Sequence, residues 1–210
     1  MNKRDHNILV IGVGNILWAD EGFGVRSVEA FAETFDVPDD VSVMDGGTQG
    51  LALVTDLASA RHILIFDAVD FGGTPGELVE VHGDDVPRFA VGKKVSLHQT
   101  SMMELLNLSE VLADCPPEAI SLIGCQPVDM EDYGGGLTPE VGAKVAPAVQ
   151  SARRILESWG VACSPRQQAA APDIVMPDAV SRHLYEGGRP TAEDACRTGD
   201  DRVLARQAAE

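Results

Sequence analysis

Residues 7–15 read NILVIGVGN, an apolar, β-branched run that ends in glycines and gives way at once to helical spacing. A strand of that composition has no polar face. Both of its sides must be covered by protein, which is the condition of an interior strand in a parallel sheet. The pattern recurs in VSVMDGG (41–47), HILIFDAVD (62–70) and AISLIGCQP (119–127), while GELVEVHG (76–83) alternates as a more exposed strand. Helical segments lie between them. One carries Val25, Val28, Phe31, Ala32 and Phe35 on a face, a short one spans 51–59, and one is entered through a turn within 96–112. The longest spans 137–160, with Leu137, Val141, Val145, Val149, Ala152, Leu156 and Trp159 in one stripe and Gly160 as its stop. Strands alternating with helices require right-handed crossovers. They predict a three-layer α/β fold, a mostly parallel twisted sheet with helices on both faces.

A chain of 210 residues suits one core at ~100–200 residues per domain. Residues 1–164 are read as that domain. From 165 the periodicity dissolves among Ala, Pro and charge, so 165–210 is expected to be a flexible C-terminal tail. The net charge of −17, from 33 acidic and 16 basic residues, repels phosphate backbones and anionic headgroups, which argues against nucleic acid and membrane as partners. No apolar run approaches the ~20 residues that span a bilayer. The opening MNKRDHN lacks the apolar segment of a secretory signal. The four cysteines, Cys115, Cys125, Cys163 and Cys196, form no CxxC pair. These features predict a cytoplasmic protein with free thiols and no cysteine zinc site. Cys115 precedes Pro116 and Pro117 in a loop, a poor setting for a nucleophile. The long helical stripe is read as core, and the protein as a monomer.

Ligands of open α/β sheets sit beyond the carboxyl ends of the strands. In this chain those ends offer Asn15, Asp20 and Glu21 after the first strand, DGGTQG (45–50) after the second, Asp67 closing the third, His98 within SLHQT, and QPVDMEDYGGGLT (126–138) after the last. A dinucleotide site is disfavoured. Gly12 and Gly14 are followed by Leu17 where the G-x-G-x-x-G fingerprint needs its third glycine, and Asp20 and Glu21 would face a pyrophosphate with like charge. No G-K-[ST] and no G-x-S-x-G occur. Two carboxylates and an imidazole, from Glu21, Asp67 and His98, instead suit a divalent ion such as zinc, nickel, manganese or iron with coordination positions left open. Each residue alone also has an ordinary role: Glu21 in the first helical turn, Asp67 as a turn cap, His98 as a surface histidine.

The segments ILVIGVGNILWADEGFGVR, DGGTQG, HILIFDAVDFGGTPGEL, SLHQTSMMELL and LIGCQPVDMEDYGGGLTPE occur in order from about residue 8 to residue 160. Together they resemble the hydrogenase maturation endopeptidases, which trim the C-terminal extension from the large subunit of [NiFe]-hydrogenases. The wording LWADEGFGVR, SLHQ and DYGGGLT resembles the branch that serves membrane-associated uptake hydrogenases. The resemblance implies that Glu21, Asp67 and His98 are the metal-binding and catalytic residues, and that Asp45, Gly46, Gly47 and Thr48 position the substrate. It implies one partner, the large-subunit precursor, and one metal, nickel carried by that substrate and bound there by thiolates. Other divalent ions are allowed in its place. Cleavage would then follow nickel insertion. The family is formally grouped with aspartic-type endopeptidases, yet the chain has no D-[ST]-G motif and no paired lobes, which disfavours a two-aspartate dyad. A non-catalytic nickel-sensing chaperone of the same subunit is the alternative.

Overall fold

The computed structural model of the chain describes residues 8–47, 50–86, 102–113, 115–133, 136–166, 182 and 185. In chain order the elements are β1 (Ile8–Val13), α1 (Phe23–Thr34), β2 (Phe35–Asp36), β3 (Val41–Gly47), α2 (Val54–Ser59), β4 (His62–Ala68), β5 (Leu78–His82), α3 (Met102–Leu112), β6 (Ala119–Cys125), α4 (Pro139–Gly142), α5 (Val145–Ser158) and β7 (Ser164–Pro165). A five-stranded sheet has the order β3-β1-β4-β6-β5. Its pairs are parallel except β5 with β6, which is antiparallel. β2 and β7 form a separate antiparallel pair.

The alternation of β1 explains the layers. Ile8 and Val10 point into a core shared with Phe23, Val28 and Phe31 of α1 and Val149 of α5. Leu9 and Ile11 point the other way, against Leu57 of α2 and Leu105 and Leu106 of α3. A strand apolar at every position therefore has both faces buried, as the sequence predicts. Phe23, Phe31 and Phe66 are fully buried, each contributing about 1.5–3 kcal/mol relative to exposure. α1 sits on the strand ends because Gly24 allows contact. A Cβ there would overlap the carbonyl oxygens of both Val13 and Phe66.

Two expectations are corrected. Phe35 leaves the helix with extended dihedrals (φ −126°, ψ 140°) and starts β2, while its ring stays buried 5.6 Å from that of Phe31. The helix expected over 137–160 is two helices, α4 and α5, with a turn at Ala143 and Lys144. Pro147 has no N–H for the Ala143 carbonyl and its ring crowds that carbonyl, so the chain restarts with Pro147 in the first turn of α5. Gly160, at φ +86°, follows the end of α5 as expected. The last described residues of the domain, 164–166, are tied to α1 and β2. β7 pairs with β2, the Arg166 N–H donates to the Thr34 carbonyl (2.9 Å), and the Arg166 guanidinium meets Asp36 (3.1 Å). By backbone contacts the chain divides into two compact units, Met1–Met176 and Pro177–Glu210. Apart from Arg182 and Tyr185, the expected tail beyond Arg166 lies outside the described residues. Among the described residues no helix is long and apolar enough to cross a membrane.

Replacing Gly24 with Ala should cost at least about 3 kcal/mol, because two main-chain oxygens cannot yield as a side chain would. Urea unfolding of the variant measures this, and a midpoint equal to wild type would contradict the close approach of α1 to the strands.

Candidate active site

β1 lies between strands that the chain reaches by turning first to one side and then to the other, so a crevice opens beyond its carboxyl end. Gly12 pairs with Asp45 on one side and Phe66 on the other. Asp45–Gly47 and Asp67 therefore flank the end of β1. Glu21 lies in a 3-10 turn, Ala19–Gly22, that packs beside β4. Gly14 (φ +136°) makes this possible: a Cβ there would collide with the Glu21 carbonyl oxygen, which accepts from the Asn15 N–H (3.2 Å). Glu21 is half-buried and Asp67 is buried. Two of the three expected ligands thus lie on elements at the carboxyl end of the sheet. His98 and Thr48 lie outside the described residues. Among the described residues no group of three or more His, Cys, Asp or Glu is placed to hold an ion.

Asp20 corrects the reading that both acids after β1 face the crevice. Its carboxylate is fully buried and accepts four hydrogen bonds: from the N–H groups of Val128 (2.9 Å), Asp129 (3.0 Å) and Thr138 (2.7 Å), and from the Thr138 hydroxyl (3.0 Å). Its own N–H donates to the Asp129 carbonyl (3.0 Å). A buried carboxylate requires such partners, and here they tie the turn after β1 to the loop after β6. Trp18 and Tyr133 bridge the same segments, their rings edge-on at 5.1 Å. Ala19, next to this clamp, holds a left-handed φ of 38°, strained for a residue with a Cβ. The local sequence holds no sign of Asp20's role, because its partners lie 108–118 positions away.

Gln126 is a second lock that sequence reasoning missed. Its side-chain oxygen accepts from the N–H groups of Phe71 (3.0 Å) and Gly73 (3.1 Å), and its amide donates to Asp70 (3.0 Å). It thereby holds the loop that follows Asp67. On the other flank, the Gly47 N–H donates to Asp45 Oδ1 (2.8 Å), and Gly47 takes φ +44°. Burial pushes the Asp45 carboxyl above its ordinary 3.8, against the Gly47 hydrogen bond and the charge of Arg26. Arg26 is itself buried in α1 and paired with Glu29 (2.9 Å). Cys125, the last residue of β6, is buried and its thiol is pushed up to about 12, first by burial and then by the Asp20 charge. It stays protonated at neutral pH and is no nucleophile. The described cysteines Cys115, Cys125 and Cys163 are free thiols, as expected.

Comparison with known proteins identifies a family. The family profile described as hydrogenase maturation protease matches residues 25–155. The hydrogenase expression/formation protein HupD of Rhodobacter capsulatus is 47% identical over 201 residues, covering 96% of this chain and 94% of that protein. Likeness to it therefore continues past residue 164. The hydrogenase 2 maturation protease of Escherichia coli K12 is 37% identical over 161 residues, 76% of this chain and 96% of its own length. Among solved structures, the hydrogenase maturating endopeptidase HybD from E. coli superposes with a TM-score of 0.70 at 37% identity, over 76% of this chain and 98% of that one.

Replacing Asp20 with Ala deprives three N–H donors and a hydroxyl, in a partly buried setting, of their acceptor. The cost should be about 3 kcal/mol or more, and tryptophan fluorescence should report Trp18 leaving Tyr133. Wild-type stability and spectrum together would remove the clamp. Asp45 makes a pH prediction. Its raised folded value means that the fold binds this proton more tightly than the unfolded chain does. The stabilising contribution is therefore complete below pH 3.8 and is lost as pH rises through the folded value. Asp45→Asn keeps an acceptor for Gly47 without the charge. The variant should exceed wild type in stability at pH 7, with the gap closing as the pH approaches 3.8. A gap that widens on acidification would reverse the sign.

Proposed function

The chain belongs to the hydrogenase maturation protease family, and we propose that it is the endopeptidase that removes the C-terminal extension of a [NiFe]-hydrogenase large-subunit precursor after nickel has been inserted. The observation that supports this reading is that Glu21, in the turn after β1, and Asp67, near the end of β4, both belong to elements at the carboxyl end of the sheet. His98 is the third member by resemblance. Nickel enters as part of the substrate. Glu21, Asp67 and His98 supply two oxygen donors and one nitrogen donor, a set suited to completing the shell of an ion already held by thiolates. An ion so bound polarises the scissile carbonyl or acidifies a water.

The remaining chemistry falls to the chain's own residues. A rim carboxylate, Glu21 or Asp67, takes the proton of the attacking water and returns it to the amine that leaves. The water oxygen adds to the carbonyl carbon to form the new C–O bond, and the tetrahedral adduct then collapses with cleavage of the peptide C–N bond as the amine is protonated. The Asp45–Gly47 turn borders the path of the substrate chain, and Gln126 and Asp20 hold the surrounding loops in place. A pair of aspartates sharing one proton is not part of this mechanism. The protein works in the cytoplasm as a monomer that meets its precursor transiently.

The assay mixes purified protein with nickel-loaded and nickel-free precursor and weighs the large subunit by mass spectrometry. Loss of a C-terminal fragment is expected from the loaded form alone. A stable complex with no mass change would favour the nickel-sensing chaperone. Glu21→Gln, Asp67→Asn and His98→Ala should each slow processing by about 100-fold or more while circular dichroism shows an intact fold. Wild-type rates in a folded variant would remove that residue from the site.

A further inference from the structure

The outer edge of β3 leads into the same rim. β3 ends the sheet: β1 pairs with one side of it, and among the described residues no strand pairs with the other. A groove of about 350 Å³ runs there, bordered by residues 41–44 in succession, by Phe35, and by Asp36 and Asp39. Consecutive strand residues point to opposite faces, so a groove bordered by four in a row follows the edge of the strand. The Ile8 N–H donates to the Asp40 carbonyl (3.1 Å), and this sets the alternation. Even-numbered residues turn their main-chain groups toward β1, and Val43 turns its N–H and carbonyl to the groove.

An accessible strand edge is a template for one more strand. Its surroundings select the occupant. Asp36 and Asp39 border the groove and are exposed. Arg166 also borders it and its guanidinium meets Asp36, which leaves the Asp39 carboxylate as the acidic feature at its entrance, with exposed Asp40 next in sequence. Two copies of a chain with net charge −17 would bring like charges together at this edge, which disfavours self-association. At its far end β3 runs directly into Asp45–Gly47 beside the crevice. We propose that the edge of β3 receives, as an added strand, a basic extended segment of the precursor's C-terminal extension, downstream of the bond to be cut. This rests on the endopeptidase reading. With neighbouring strands ~4.8 Å apart, the added strand runs about 10–15 Å from the ends of β1 and β4. Three to five extended residues at ~3.3 Å each cross that span. Docking therefore begins roughly four residues after the scissile bond.

The test uses the full chain and a fluorescein-labelled synthetic peptide of the precursor extension in nickel-free buffer. Bound peptide should slow hydrogen exchange at the Val43 amide by at least about tenfold, and Asp39→Lys should weaken binding roughly fivefold at low salt. N-methylation of the peptide at alternate positions should abolish binding in one parity and spare it in the other, which an association through charge alone would not do. Unchanged Val43 exchange at saturating peptide, or equal affinity for both methylated forms, overturns the proposal. No cleavage enters these readouts, so the two readings separate. Binding at this edge by a protein that trims no precursor sinks the endopeptidase reading alone. Nickel-dependent trimming with no change at Val43 sinks the docking strand alone.

Discussion

The crevice exists in its present form because one buried charge has been given enough hydrogen bonds. Asp20 is removed from water and compensated by three main-chain N–H groups and a hydroxyl drawn from the loop after β6. An ionised carboxylate in that position would be intolerable with fewer partners, so the loop has little choice of conformation. Two results follow locally. The neighbouring Ala19 holds a left-handed conformation, and Glu21, one residue beyond Asp20, lies in the same short turn.

Gln126 plays the matching part on the other side of the rim, using a neutral amide where Asp20 uses a charge. Between them the two side chains tie down the segments next to Glu21 and Asp67. The helices contribute through contact. α1 is pressed onto the ends of β1 and β4 at Gly24, so the turn that bears Glu21 is held between a helix start and two strand ends. The rim is thus built on the sheet itself, and its loops are secondary supports.

Much of this was legible from the sequence because sheets covered on both sides leave a strong mark. The unbroken apolar runs of β1, β4 and β6 and the stripe of α5 identified the layers, and the rule that ligands sit at strand ends directed attention to Glu21, Asp45 and Asp67. What escaped were effects with no local pattern. Asp20 and Glu21 are adjacent acids, alike in composition, and only partners more than a hundred positions away separate a buried clamp from a rim donor. Phe35 continues the apolar face of α1 in sequence, yet pairing of β2 with β7 draws it out of the helix. The split between α4 and α5 was in principle readable from Pro147, but the hydrophobic stripe runs through the break and concealed it.

The span of the Asp20 clamp also bears on when competence appears during synthesis. β1, β3 and β4 are complete by residue 68, and with them the carboxylates Glu21 and Asp67. Thr138, which gives Asp20 two of its four bonds, follows 118 positions after it. A growing polypeptide on the ribosome therefore carries both rim acids long before the loop that holds their turn has emerged. Contacts of such separation form late, so an unfinished copy has both acids before the clamp that fixes the turn bearing Glu21.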